Sequence, residues 1–174
     1  MKKILICCLV IFCSSCTLKE QENLNDQLYF DVDNYFKLEA KRLTKANPQV
    51  DKTVNVNGDT EHKKLRVNNW EKEFESFISA DINKASWRGA FKVKKEQNLE
   101  TYLATSDKIP VKKLEITYRN DKIYGIKILI ANTNHLYSSK DSLSYYPDSL
   151  YAIKKVQQIK LMEQKSYSIT GKFR

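Results

Sequence analysis

The chain has 174 residues, with 30 Lys and Arg against 21 Asp and Glu, and a formal net charge of +9. Its hydrophobic content of 41% and charged content of 29% are those of a globular protein and exclude a disordered chain. All four cysteines lie within the first 16 residues, so the remainder supplies neither an internal disulfide nor a thiolate nucleophile.

The N-terminus has the order of a secretory leader. A basic start at residues 1–3 precedes an apolar run at residues 4–12, and small residues then lead to Cys16. Polar residues from Ser14 onward end this run, which is shorter than the roughly 20 apolar residues that a membrane span needs. An ordinary secretory leader, cleaved nearby, is the alternative that these residues leave open.

This leader resembles those of bacterial lipoproteins. Cys16 matches the cysteine that carries the lipid in that family, Ser14 and Ser15 match the small residues before it, and Cys13 stands where leucine is usual. The resemblance implies that residues 1–15 are a signal peptide and that Cys16 carries fatty acyl chains such as palmitate. It also implies a cell-envelope protein anchored by lipid, with the outer membrane, on its periplasmic or surface face, as the expected location.

Residues 16–27 form the expected lipidated N-terminus and tether, because the segment after Cys16 is polar and has no apolar period. Residues 28–174 are long enough for one domain with a full core. The expected export signal argues against nucleic acid as a partner, and so do the scattered basic residues, because no lysine-rich block with interleaved aromatics occurs. Anionic lipid head groups or polysaccharide are the neighbours expected instead, and a basic surface that only confers solubility is favoured over both.

Two helices are predicted in the first half of the domain. The first covers residues 33–45, begins at a cap from Asp31 or Asp33, and ends before Pro48. A hairpin follows, with its turn at residues 57–59. The second helix begins after Asn69, and its apolar positions are Trp70, Phe74, Phe77, Ile78 and Ile82.

From Ala90 onward the apolar period changes to two, which indicates strands with one wet face and therefore an antiparallel sheet. Gly125 and Gly171 lie inside strand patterns and predict bulges or bends. The predicted fold is α+β, a strongly curved antiparallel meander sheet packed over the two helices. The apolar positions of the strands are Phe91 and Val93; Leu99, Thr101 and Leu103; Leu114, Ile116 and Tyr118; Ile126, Ile128 and Ile130; Leu143 and Tyr145; Tyr151 and Ile153; Ile159 and Leu161; and Tyr167, Ile169 and Phe173.

The sequence contains few residues in the patterns that catalysis requires. It therefore predicts a protein that is not an enzyme and has no cofactor. His62 and His135 lie in different segments without neighbours at metal-ligand spacing, so no metal site is predicted. No glycine-flanked serine or phosphate-binding loop occurs. Asp81 borders the apolar face of the second helix, where an ion pair with Arg88 is favoured over a role as general acid.

Tyrosine is the enriched residue type, and five tyrosines lie in the last third of the chain: Tyr137, Tyr145, Tyr146, Tyr151 and Tyr167. Such rings suit sugar or protein surfaces, and they equally suit cross-strand pairs of a curved sheet, which is the favoured interpretation. No ligand-binding residue is identified by the sequence.

Three functions remain open. The leading hypothesis is a non-catalytic envelope domain, anchored by lipid, that binds an envelope protein or glycan or scaffolds an assembly. A carrier or chaperone for a lipophilic ligand is the second, because the predicted sheet resembles the half-barrel of lipoprotein and lipid chaperones, and it requires a cavity lined by Ile, Leu and Phe. An envelope hydrolase is the third, and it requires carboxylates or His135 to converge in one cleft.

Overall fold

The computed structural model describes residues 28–174, so the predicted leader, Cys16 and the tether lie outside the described residues. Three α-helices occur in this part, together with a short 3₁₀ helix at Ala85–Trp87. The helices are α1 (Val32–Ala46), α2 (Trp70–Glu73) and α3 (Glu75–Ile78). The strands are β1 (Gln49–Val56), β2 (Asp59–Arg66), β3 (Phe91–Glu96), β4 (Leu99–Ala104), β5 (Val111–Arg119), β6 (Lys122–Thr133), β7 (Tyr137–Tyr146), β8 (Leu150–Ile159) and β9 (Lys165–Phe173).

The nine strands form one antiparallel sheet in the order β2-β1-β9-β8-β7-β6-β5-β4-β3. Strands β3 to β9 are the predicted meander, and β2 and β3 are the edges of an open sheet that is consistent with curvature. The β1–β2 hairpin is not a separate unit, because β1 pairs with β9 from Val50↔Phe173 to Val56↔Tyr167. The segment between β2 and β3, which contains α2 and α3, therefore connects the two edges of the sheet.

The first predicted helix is confirmed to within one residue at each end. The Asp31 side chain accepts a hydrogen bond from the Asn34 N–H at 3.0 Å, which caps the N-terminus of α1. Asn47 ends the helix in the left-handed conformation, with φ of 46°. One face of α1 is buried, and its apolar residues are Val32, Phe36, Ala40 and Leu43.

The prediction of one continuous second helix is wrong, although the predicted spacing of its apolar residues is right. Asn69 caps the start as predicted, but Phe74 interrupts the helix and the chain forms two single turns, α2 and α3. After α3 the Asp81 carboxylate accepts a hydrogen bond from the Asn83 N–H at 3.0 Å, and such local bonds compete with helix extension. Trp70, Phe74, Phe77 and Ile82 are nevertheless buried, whereas Ile78 is half-buried.

The core lies between these helical segments and the inner face of the sheet, defined here as the face of Tyr145 and Tyr151. The ring centroid of Tyr145 is 5.3 Å from those of Phe36 and Phe74. The Tyr151 ring lies 6.1 Å from that of Trp70 in an edge-to-face arrangement. Aromatic contacts thus join α1 and α2 to the middle of the sheet.

The two strand glycines have different roles. Gly125 lies at the predicted irregularity, because the β5–β6 register shifts just beyond the Thr117↔Gly125 pair. Gly171 lies in regular pairing with both β1 and β8, so the prediction of a bulge at this position is wrong. A Cβ at position 171 would lie 2.1 Å from Cε1 of Tyr151, and glycine is required because this ring passes over the backbone.

The inner face of β3 and β4 also differs from the prediction. On β4, Leu103 is 40% exposed, whereas Glu100 and Tyr102 are buried. Val93 of the edge strand β3 lies opposite Tyr102, on its predicted face, and is also 40% exposed. Leu161 belongs to no strand and is 98% exposed in the turn after β8. Tyrosine and glutamate therefore occupy inner positions that a hydrophobicity pattern assigns to other residues.

We expect Phe77→Ala to lower the free energy of unfolding by about 3–5 kcal/mol, because the ring is fully buried against Phe36 and Tyr145. Chemical denaturation of the purified chain measures this change. Leu38→Ala is the control, since Leu38 is 56% exposed on α1 and its truncation should change stability by less than about 0.5 kcal/mol. Equal midpoints for the two variants would contradict the described core.

Candidate functional site

The residues that the sequence singled out for chemistry do not converge. His62 lies on the edge strand β2, where its Nδ1 is 2.9 Å from Thr53 Oγ1, and His135 lies in the exposed loop after β6. Asp81 holds the turn after α3, and its pair with Arg88 stays a prediction. Within residues 28–174, no group of three or more His, Cys, Asp or Glu is arranged to hold a metal ion.

A first carboxylate–tyrosine cluster joins α1 to β7. Glu39 is 9% exposed, and it accepts a hydrogen bond from the Tyr145 hydroxyl. Arg42 binds the same carboxylate through Nε, 2.9 Å from Oε2, and Nη2, 2.6 Å from Oε1. Its Nη2 also lies 2.7 Å from Asp148 Oδ1 in the β7–β8 turn. Burial, and then the bond to Glu39, raise the pKa of Tyr145 well above its ordinary value.

A second cluster joins α2 to β1 and β8. The Tyr151 hydroxyl donates to Glu73 Oε1 at 2.6 Å, and Lys52 Nζ lies 2.7 Å from the same oxygen. The side chains of Lys52 and Glu73 are only 18% and 13% exposed. Burial and the bond to Glu73 raise the pKa of Tyr151 well above its ordinary value, so this hydroxyl is a constant donor.

A third cluster lies on β3, β4 and β5. Glu100 accepts hydrogen bonds from the Tyr102 hydroxyl at 2.6 Å and the Tyr118 hydroxyl at 3.1 Å, and Lys95 Nζ lies 2.6 Å from its Oε1. Burial, with the charge of Glu100, raises the pKa of Tyr118 to about 12. The backbone N–H of Phe30 donates to the Tyr102 oxygen at 3.2 Å, which ties the first described residues to this cluster.

These clusters resemble structural pairs more than a catalytic set. Each central carboxylate already binds a cation and at least one tyrosine, so its oxygens are engaged within the fold. Helical spacing offered a signal for two of them that the sequence analysis missed. Glu39 is three residues after Phe36 and Glu73 is three after Trp70, which places both carboxylates on apolar faces.

The five tyrosines of the last third are divided between core and surface. Tyr145 and Tyr151 are fully buried, which agrees with the favoured structural role. Tyr146 is half-buried with its ring 6.0 Å from that of Tyr124, and the half-buried Tyr137 accepts a hydrogen bond from Gln157 at 3.0 Å. Tyr167 is 38% exposed. The tyrosines therefore do not form one continuous recognition surface.

The inner face of the sheet is occupied by the protein's own side chains. Leu114, Ile116, Ile126 and Leu143 are each at most 1% exposed within the core. A surface pocket of about 440 Å³ lies between α1 and the start of α2. It is lined by Ala40, Lys41, Thr44, Lys45, Asn68, Asn69, Trp70 and Glu71.

The outer face of β6 to β9 is the most distinctive surface of the described chain. Successive strand residues point to opposite faces, so residues adjacent to buried ones such as Ile126 and Ile153 point outward. In these four strands the only acidic residue is Asp141, which lies opposite Lys155 at an inner position. Four exposed lysines point outward and are called the lysine face here: Lys127, Lys140, Lys154 and Lys172.

Serine lies opposite two of these lysines. Lys154 lies opposite Ser142 on one neighbouring strand and Ser168 on the other, and Lys127 lies between Ser144 and Glu115. The cross-strand partners of the other two are Ala131 and Val156 for Lys140, and Leu150 and Asp51 for Lys172. None of the four lysines forms an ion pair with the described residues. The result is a surface with positive charge along four strands and hydroxyl groups around Lys154.

Comparisons with known protein families, curated protein sequences and solved structures find no match. In the described part, no helix is both long and apolar enough to cross a membrane. Functional inference therefore depends on the chain's own residues, and the lysine face is the candidate site.

We expect the Glu100 cluster to stabilise the fold in a pH-dependent manner. Burial alone would raise the pKa of Glu100, but hydrogen bonds from Lys95, Tyr102 and Tyr118 outweigh it and hold this pKa below its ordinary value of 4.5. The stabilisation is complete above that ordinary value and is lost as the pH falls through the lower pKa of the folded state. Thermal melting across the acid range should therefore show a smaller loss of stability for Glu100→Gln than for the native chain.

Glu96→Gln is the matched control, because Glu96 forms an exposed pair with Lys94 within β3, the strand next to that of Glu100. Its acid profile should follow the native one. Parallel profiles for Glu100→Gln and the native chain would contradict the proposed linkage.

Proposed function

We propose that the chain is a lipid-anchored, non-catalytic protein of the bacterial cell envelope that binds an anionic envelope polysaccharide through the lysine face. The observation that carries this proposal is the outer face of β6 to β9, where four lysines without an ion pair occur and no acidic residue does, with Glu115 of β5 and Asp51 of β1 at its two borders. The anchor is supported by the leader and by Cys16, as the resemblance to bacterial lipoproteins implies.

The chemistry of the lysine face favours an extended polyanion over a small ligand. The lysines are distributed over four adjacent strands, and strands lie about 4.8 Å apart. Lys154 and Lys140 are diagonal neighbours on β8 and β7, for which a spacing of about 7–8 Å is usual. Lysine binds anionic groups as a flexible point charge, and the surrounding serines provide hydroxyls for sugar.

The two alternatives have less support. A carrier needs an apolar cavity, but Phe36, Phe74 and Phe77 fill the space over the middle of the inner face. A hydrolase needs a free carboxylate in a cleft, but Glu39, Glu73 and Glu100 are engaged by tyrosine and a cation. Both observations support binding without catalysis.

The anchor predicts that Cys16→Ala abolishes both fatty-acid labelling and membrane association. Metabolic labelling with an alkyne fatty acid, followed by membrane fractionation, measures both properties. Cys8→Ala is the control, because Cys8 lies in the apolar run of the leader and should leave labelling intact. A Cys16→Ala chain that is still labelled and still sediments with membranes would refute the anchor.

The lysine face predicts that replacing Lys127, Lys140, Lys154 and Lys172 together by Gln weakens binding to an acidic polysaccharide by about tenfold or more. An exposed charge pair contributes roughly 0.2–1 kcal/mol to binding. Four pairs of average strength therefore contribute more than the roughly 1.4 kcal/mol that corresponds to a tenfold change in affinity. Binding of the purified full chain to heparin, with neutral dextran as the uncharged probe, measures the effect.

A matched control removes the same charge elsewhere. Lys41, Lys45, Lys72 and Lys108 are exposed away from the lysine face, and their joint replacement by Gln should leave most of the affinity. Equal loss in both quadruple variants would show that net charge alone is responsible. Shortening of the recovered polysaccharide would instead favour the hydrolase.

A further inference from the structure

Two neighbouring hairpin tips at one end of the sheet carry exposed apolar side chains. Leu136 lies in the β6–β7 loop, and Leu161 and Met162 lie in the β8–β9 turn. Their exposures are 67%, 98% and 50%. The Lys160 N–H donates to the Leu136 carbonyl oxygen at 2.9 Å, so the two tips are in direct contact. Leu136, Ile159, Leu161 and Met162 are called the apolar tip here.

The backbone of the apolar tip holds its most exposed residue in an unusual conformation. Leu161 has φ of 66°, and among the described residues with positive φ it alone is neither Gly, Asn nor Asp. A leucine in the left-handed region is energetically unfavourable, and so is its full exposure to water. Strain of this kind clusters at functional sites, where a partner offsets it.

We propose that the apolar tip inserts into the interface of an anionic lipid bilayer and gives the domain a second membrane contact besides Cys16. Lys160 and Lys165 flank the exposed apolar side chains, and long basic side chains can reach head groups while the apolar residues enter the acyl boundary. Glu163 is the acidic residue of the same turn, and His135 precedes Leu136. The two lysines therefore exceed the opposing charge and favour an anionic surface.

The position of the N-terminus supports a bilayer as the occupant, and this step rests on the proposed lipid anchor. Eleven residues separate Cys16 from Leu28, and a chain of that length spans at most about 40 Å. The Tyr29 hydroxyl accepts a hydrogen bond from the Phe91 N–H at 3.2 Å. Phe91 begins β3 at the same end of the sheet as the apolar tip, because it pairs with the last residue of β4.

The test places an environment-sensitive fluorophore on the apolar tip. Leu161→Cys and Leu38→Cys are labelled in the full chain and reconstituted into phosphatidylcholine vesicles with or without phosphatidylglycerol. Leu38 is the matched position, because it is an exposed leucine on α1. The chain without an added cysteine, labelled identically, provides the blank for any native cysteine that reacts.

With phosphatidylglycerol present, we expect the probe at position 161 to be quenched by acyl-chain nitroxides and to be several-fold less accessible to aqueous iodide than the probe at position 38. Lys160→Glu with Lys165→Glu should remove this protection. Equal iodide quenching at both positions, or equal protection in vesicles without phosphatidylglycerol, would overturn the proposal.

Two further outcomes separate this proposal from others. Protection of position 161 without vesicles, increasing with protein concentration, would assign the apolar tip to a second copy of the chain and overturn the membrane contact. Intact mass of the purified chain reports the lipid on Cys16 independently. Loss of the anchor and failure of the apolar tip to insert are therefore distinguishable.

Discussion

The pairing of β1 with β9 is the constraint on which the rest of the described structure depends. It joins the hairpin that follows α1 to the last strand of the chain, through seven residue pairs. Lys52 of β1 thereby lies opposite Gly171 of β9, and the Tyr151 ring occupies the space above that glycine. Lys52 and Tyr151 then reach Glu73 together, which holds α2 against the sheet.

Hydrogen bonds to buried carboxylates orient the helices against a core that is otherwise apolar. Hydrophobic burial is roughly proportional to area and does not by itself orient a short helix. The bonds from Tyr145 to Glu39 and from Tyr151 to Glu73 are directional, and each joins a helix to a strand. This arrangement suits α2 in particular, because a helix of a single turn has little stability of its own.

The two faces of the sheet have separate chemistry because strand residues alternate. Inner positions of β6 to β8 are filled by residues such as Ile126, Leu143 and Tyr151, which contact the helical segments or one another. Outer positions of the same strands carry lysine and serine, which require no packing partner, beside a few apolar residues such as Leu129, Leu150 and Val156. A binding surface can therefore occupy the outer face without weakening the packing of the core. The apolar tip lies at one end of the strands, apart from the core and from the lysine face.

Elements whose signal is local could be predicted from the sequence. The α1 boundaries, the Asn69 cap and the hairpin turn at Asn57 and Gly58 follow from caps, turn residues and period, because each depends on neighbours a few residues away. The alternating strands likewise indicated an antiparallel sheet. The resemblance of residues 1–16 to a lipoprotein leader depends on local sequence alone, and both the leader and the lipid on Cys16 stay predictions.

Contacts between residues that are distant in the sequence could not be predicted in this way. The β1–β9 pairing joins segments more than a hundred residues apart, and no local pattern specifies it. Glu100 and Tyr102 are buried although their strand pattern predicted the opposite face, because Lys95 and Tyr118 from neighbouring strands satisfy the carboxylate. The lysine face and the apolar tip arise in the same way. Their residues are scattered in the sequence, and only strand register and the contact between two hairpin turns bring them together.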